Sequence, residues 1–330
     1  MIDLHLHLDG SLSIKDCEYL AKLQNIDLGN DFPSNLYVPQ DCPSLEEYLT
    51  KFELPLKLLQ SKEAVEYAAY SLASRLAEMG YIYAEIRYAP LLHLQKGLTQ
   101  LEVAKAALSG LERALKEHPN FEANLILCCM RHASMELNKE TIEVAHKLKG
   151  TRVVAVDLAG AERLHPSSYY KEVFDLAKKY QLNITIHAGE ATGSDEIMMA
   201  LDNGAKRIGH GVHLAFDIPT VDRVCRENIC FEFCPTSNLQ TKSLITYKDV
   251  PLRLFVDHGI KVTINSDNMT VSNVSAISEM GIMKETFNLS KEEVHMLLLT
   301  SIEHAFTSEK VKEKLKEKLA NRIDKYYANL

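Results

Sequence analysis

The sequence predicts an α/β fold: a (β/α)8 TIM barrel with extra helices inserted after strand 1 and at the C-terminus. Three observations carry this reading. Eight short β-rich runs recur along the 330 residues, at 2–7, 81–88, 124–130, 153–158, 183–187, 207–210, 230–234 and 261–266. Longer amphipathic stretches with polar flanks separate most of them, as at 101–116, 169–180 and 250–258. Several of those stretches stop at a glycine just before the next run, as at Gly259 before Ile260. Strand–helix alternation builds a parallel sheet, and eight repeats can close it into a barrel.

The first run reads Asp3-Leu4-His5-Leu6-His7-Leu8-Asp9-Gly10. Residues i and i+2 of a strand share a face, so His5 and His7 point together into the barrel and the leucines point outward. The stretch 8–80 is far longer than one crossover. It holds three helical patterns, near 13–24, 44–59 and 62–79. In the middle one, Leu45, Tyr48, Leu49 and Phe52 fall at i, i+3, i+4 and i+7. Such a stripe is most often packed core. An insertion after the first strand also stands at the barrel's active face, where it could serve as a substrate lid. After the eighth run, three helical patterns finish the chain; the last, 308–327, is rich in Lys and Glu and reads as a solvated helix. With no repeat signature, low-complexity segment or linker, residues 1–330 are taken as one domain.

Composition narrows the function. Apolar residues make up 46% and charged residues 25%, as in ordinary soluble globular proteins. Lys+Arg 37 against Asp+Glu 45 gives −8, which offers no footprint for nucleic acid or an anionic membrane. No apolar run approaches the roughly 18 residues of a membrane span. Met1-Ile2-Asp3-Leu4-His5 lacks the basic and apolar regions of a signal peptide. The seven cysteines form no C-x-x-C pair, so neither a disulfide framework nor a thiolate zinc site is suggested. A cytoplasmic protein acting on a small molecule is expected.

The chemistry gathers where the runs end. The fifth ends in His187-Ala188-Gly189-Glu190, the sixth in Gly209-His210-Gly211 and the eighth in Asn265-Ser266-Asp267-Asn268. Catalytic groups of such barrels come from the C-terminal ends of several strands, so these residues should converge. His5, His7, His187 and Asp267 then offer three nitrogens and one oxygen to a divalent cation, with zinc the first guess and a water completing the site. Binuclear relatives of such sites need a bridging group, often a modified lysine at a middle strand. The fourth run ends Asp157-Leu158-Ala159-Gly160, without a lysine, which favours one metal per chain.

These segments, together with Ser44-Leu45-Glu46-Glu47-Tyr48-Leu49, Tyr83-Ala84-Glu85-Ile86-Arg87-Tyr88-Ala89-Pro90 and Cys234-Pro235-Thr236-Ser237-Asn238, resemble the adenosine deaminase family of the metal-dependent amidohydrolase superfamily over nearly the whole chain. An H-x-H start is weakly diagnostic; H-A-G-E and G-H-G, in that order at strand ends, are far more specific. The resemblance implies a zinc-dependent hydrolase that converts adenosine and 2′-deoxyadenosine to their inosine forms. It implies that His5, His7, His187 and Asp267 hold the zinc and that Glu190 protonates purine N1. His210 would orient and help deprotonate the water, with Asp267 as the other candidate base. The Gly160 N–H would meet N3, Asp9 the ribose 5′-hydroxyl, and Leu45, Tyr48, Leu49 and Phe52 would gate the nucleoside. The family usually has two adjacent aspartates after the eighth strand; here the second is Asn268, which bears on the contact to N7. Adenine or a 5′-modified adenosine remains an alternative substrate, and a catalytically silent binding homologue an alternative class. The H-x-E and P-C-x-x-C pattern of cytidine-type deaminases is missing.

Overall fold

Eight parallel strands follow one another round a single sheet in chain order: β1 (Ile2–His7), β2 (Tyr83–Tyr88), β3 (Glu122–Met130), β4 (Val153–Ala159), β5 (Asn183–Ala188), β6 (Arg207–His210), β7 (Cys230–Phe233) and β8 (Lys261–Ile264). This computed structural model describes residues 1–29, 31–39, 42, 43 and 45–330, and the side chains of residues 45 and 46 lie outside the description. The ring is closed by the residues just after β8. Asn265 Oδ1 accepts from Leu4 N at 3.0 Å. Asp267 N donates to His5 O at 2.8 Å, and His7 N donates to Asp267 O at 2.7 Å. The barrel therefore seals through the segment that carries a candidate ligand, and the position of Asp267 is fixed by backbone bonds to the strand of His5 and His7.

All eight expected runs are strands, with ends that shift by at most two residues. β8 stops at Ile264 rather than Ser266 because the chain leaves the sheet there; Asp267 is left-handed, with φ 58°. His210 at the end of β6 is left-handed as well, with φ 61°. Such conformations cost a non-glycine residue about 1–3 kcal/mol and persist where the surroundings over-determine them.

Two helical expectations need correction. The pattern 44–59 is not one helix but two, Leu45–Thr50 and Glu53–Leu58. Proline has no N–H and clashes with the preceding turn in a helix interior; the break places Pro55 in the first turn of the second helix, where neither matters. The terminal pattern 308–327 also divides, into Glu309–Ala320 and Ile323–Asn329, so four helices follow β8 among the described residues instead of three. The break turns the last helix back onto the barrel: Tyr326 Oη donates to Gly80 O at 2.9 Å and Tyr327 Oη to Leu289 O at 3.1 Å. Leu315, Leu319 and Ile323 are buried, so this end is packed on one face and not merely solvated. No helix among the described residues is long and apolar enough to cross a membrane.

Candidate active site

The strand ends surround a cavity of about 350 Å³, large enough for a small molecule. His7, Asp9, Gly160, His187, Glu190, His210, Asp267 and Asn268 line it, and Tyr48, Leu49 and Phe52 form part of its apolar wall. Leu45 belongs to the same helix as Tyr48, but its side chain is outside the described residues.

Four donors converge at one end. One ligand atom each from His5, His7, His187 and Asp267 lies within 4.8 Å of the others. His7 Nε2 stands 3.3 Å from His187 Nε2. Asp267 Oδ1 is 3.5 Å from His5 Nε2 and 3.4 Å from His7 Nε2. A tetrahedral cation with ligands at about 2.0–2.1 Å has edges of roughly 3.3–3.4 Å, so these spacings fit one. His5 Nε2 is buried without a hydrogen-bond partner among the described residues, the mark of a lone pair aimed at something else. Burial keeps the His5 imidazole below its ordinary pKa and His7 well below it, so both are neutral and able to donate.

The two buried histidines, His5 and His187, are each turned by a carboxylate behind the ring. Glu232 Oε2 is 2.8 Å from His5 Nδ1, and Asp157 Oδ2 is 2.9 Å from His187 Nδ1, which leaves both Nε2 atoms facing the cluster. Burial alone would raise these two carboxyls. The charges of His187 and Arg87 beside Asp157, and of Arg87 and Arg207 beside Glu232, win and hold both well below the usual range. Arg87 bridges them, with Nη1 3.1 Å from Asp157 and Nη2 2.8 Å from Glu232; Arg207 Nε donates to Glu232 at 2.6 Å. Burial also lowers His187, but Asp157 more than offsets it, so His187 is the most basic of the three imidazoles.

The remaining groups face the cavity from other strand ends. Glu190 Oε1 accepts from Thr241 Oγ1 at 3.2 Å, and Glu190 Oε2 is 3.7 Å from His210 Nε2. His210 Nδ1 lies 3.2 Å from Asn238 Nδ2. Gly160 follows β4 directly and is left-handed, with φ +106°. Asp9 is buried in the turn after β1, and burial pushes its carboxyl up to about 6. Asn268 Nδ2 donates to Tyr48 Oη at 2.8 Å, while its Oδ1 is buried without a partner among the described residues. A Cβ on Gly10 would come 1.9 Å from that Oδ1, so only glycine fits beneath the amide.

The structure thus gathers every expected site residue whose side chain is described. Sequence reasoning missed the Arg87–Asp157–Glu232 support, Thr241 and the Tyr48 hydroxyl bond. One signal was there to read: Glu85 and Arg87 sit at i and i+2 in a strand otherwise apolar enough to be core, and such charges must be paired.

Residues 1–322 match the family model described as adenosine deaminase. The adenosine deaminase of Haemophilus ducreyi is 43% identical over 330 residues, covering 98% of this chain and 96% of that one. In fold, the chain is similar to the adenine deaminase of Arthrobacter aurescens, with a TM-score of 0.86 at 23% identity over 98% of each chain. It is also similar to an amidohydrolase from Burkholderia ambifaria solved with bound zinc, with a TM-score of 0.88 at 17% identity over 99% of this chain and 91% of that one. With the match spanning both the strand-end cluster and the helices over it, this chain belongs to the adenosine deaminase family and is a hydrolytic deaminase.

Proposed function

We propose that the chain hydrolyses adenosine and 2′-deoxyadenosine to the inosine forms and ammonia, as one domain over residues 1–330. The observation that carries this is the four-donor cluster at tetrahedral spacing with Glu190 facing the same cavity. The ligands proposed are His5, His7, His187 and Asp267, for one zinc; three nitrogens and one oxygen suit that ion. When bound, such a cation supplies water acidified from 15.7 to about 7.

The residues supply the rest. Attack at C6 places electron density on N1, and the Glu190 carboxyl is the acid that delivers a proton there. His210 and Asp267 are the groups that can take the proton from water and pass it to departing ammonia. With the Asn238 amide turned so that its carbonyl accepts from His210 Nδ1–H, His210 Nε2 presents its lone pair for that task. The Gly160 N–H is assigned to N3, Asn268 to N7 and Asp9 to the ribose 5′-hydroxyl. Tyr48, Leu49 and Phe52 cover the base and exclude water from the reacting edge; the side chain of Leu45, expected beside them, lies outside the described residues. A small purine nucleoside is the proposed partner; neither nucleic acid nor membrane is, in keeping with the net charge of −8. The cytoplasm is the proposed setting, on the absence of paired cysteine spacings in the sequence.

The test is ammonia release from adenosine, 2′-deoxyadenosine, adenine, AMP and 5′-modified adenosines, with Glu190→Gln alongside. Adenosine and 2′-deoxyadenosine should lead the panel. The amide variant should still bind nucleoside but lose about 10² to 10⁴ in kcat, because it cannot protonate N1. A variant within threefold of wild type removes Glu190 from the acid role. A panel led by adenine or by a 5′-extended nucleoside replaces the substrate.

A further inference from the structure

Glu162 has no part in the roles assigned above, yet it is among the best-satisfied carboxylates of the molecule. It is 3% exposed and follows Gly160 by two residues. Its Oε2 accepts from Gly189 N at 2.9 Å. Its Oε1 accepts from Thr192 N at 2.6 Å and also from Ala191 N. These three amides bracket Glu190 on both sides. They belong to the turn that leaves β5, where no strand or helix partner exists for them, and converging amides of this kind make a cradle for an anion. The Gly189 N–H is buried and, left unpaired, would carry the cost of an unsatisfied group; those of Ala191 and Thr192 are half-buried.

The turn is held from other directions too. Gly189 is left-handed, with φ +68°, and a Cβ there would come 2.5 Å from Ile197 Cδ1. Arg163 Nε donates to Ala191 O at 2.7 Å. Glu162 and Arg163 leave the same loop as Gly160. That loop and the 189–192 turn are therefore tied together by side chains from one side and backbone from the other.

We propose that Glu162 is a positioning residue for the deamination, clamping the turn so that the Glu190 carboxyl is held at a fixed distance from the Gly160 N–H. Those two groups are assigned to N1 and N3, so the clamp sets the spacing along one edge of the purine. This rests on the role given to Glu190. A carboxylate suits the task because its two oxygens can accept all three amides. A glutamine at 162 has one acceptor oxygen, and its NH₂ would face a backbone N–H. The turn then relaxes, and a misplacement of about 1 Å is enough to cost on the order of 10² in rate.

The experiment is a double-mutant cycle of Glu162→Gln and Glu190→Gln on the metal-loaded enzyme, with metal content and inosine affinity measured for each variant. Glu162→Gln should lower kcat about 10²-fold and change KM and inosine affinity less than threefold, with metal content unchanged. In the Glu190→Gln background the same change should cost less than threefold, because the acid it positions is already gone. An equal loss in both backgrounds, or an unchanged kcat in the single variant, overturns the proposal. If Glu162→Gln does not fold, Glu162→Asp, which keeps two acceptor oxygens on a shorter arm, is read in the same cycle by the same criteria. A Glu190→Gln enzyme of near wild-type rate instead overturns the assignment of Glu190 and leaves the clamp without an object.

Discussion

Asn268 donates its side-chain amide to the Tyr48 hydroxyl, 2.8 Å away, and that hydroxyl also pairs with Ser272 Oγ at 2.9 Å. The helix Leu45–Thr50 is thus pinned to the segment after β8 by a buried polar triad. Tyr48 was expected only as part of an apolar gate; its ring does that, but its hydroxyl fixes the residue assigned to N7. Purine N7 only accepts, and an asparagine amide can donate to it at any pH, whereas an aspartate there must be protonated.

From this follows the first expectation. Tyr48→Phe strands the Asn268 amide and Ser272, and should lower kcat/KM for adenosine by about tenfold, the worth of one buried hydrogen bond. The penalty for replacing N7 by C–H should shrink in the same variant, since the amide is no longer oriented. Asn268→Asp should introduce a pH dependence, with activity kept at low pH and falling as the new carboxyl ionises, a step delayed upward by the charge of Asp267. An unchanged preference for the N7 nucleoside in Tyr48→Phe, with a flat pH profile in Asn268→Asp, would show that neither residue reads N7.

The support behind the ligands gives a second expectation. Asp157 orients His187 at 2.9 Å and shares Arg87 with Glu232. Asp157→Asn keeps the shape but removes the charge that makes His187 basic. Metal affinity should fall about 10–100-fold, read by chelator competition, while the fold persists. Retention of wild-type affinity would mean that the carboxylate is structural only. The wild type should hold one zinc per chain after dialysis; two equivalents would end the mononuclear assignment.

Asp9 supplies a third. Its carboxyl is pushed up to about 6 by burial, so it is charged at pH 8 and largely neutral at pH 5. A charged Asp9 repels a 5′-phosphate, and adenosine should be preferred to AMP by at least tenfold in kcat/KM at pH 8, a difference of about 1.4 kcal/mol. The ratio should narrow toward pH 5 as the repelling charge is lost, and Asp9→Asn should narrow it at pH 8 and leave it near the wild-type value at pH 5. A ratio near one in the wild type at pH 8 would take Asp9 away from the 5′ end.

How much of this was legible in the sequence depends on the range of each interaction. The His5–His7 pair was readable because strand period is local: two residues apart is one face. Glu190 and Asp267 were readable because barrel strands all end on one side. The double helix at 44–59 was missed because one continuous apolar stripe hid the effect of Pro55, and the terminal break because the stretch 308–327 holds no glycine or proline to mark it at Asn321-Arg322. The Glu162 clamp leaves no sequence periodicity at all. Its partners are backbone amides, which exist as a cradle only once the turn after β5 has folded. That Arg87 needs a partner was readable from its core strand, but that Glu232 is one was not: the two residues are 145 apart in the chain and meet only inside the barrel.

The fourth expectation concerns stability. Glu279, on the helix Ala276–Phe287, is 1% exposed; one oxygen accepts from Thr236 N at 3.2 Å, and the other has no partner among the described residues. Burial pushes its carboxyl up to about 8 from an ordinary 4.5. Between those values the unfolded chain has released the proton and the native state keeps it. The native state then binds more protons than the unfolded one, so stability falls as pH rises through this window and levels off above it. Glu279→Gln is neutral at every pH and keeps an oxygen for Thr236. It should match the wild type at low pH and become relatively more stable on going from pH 6 to pH 8, by up to about 2–3 kcal/mol. Urea unfolding of the metal-loaded proteins at the two pH values reads the difference directly. Parallel curves for variant and wild type would mean that Glu279 is ionised in the native state and finds a cation or water that balances it.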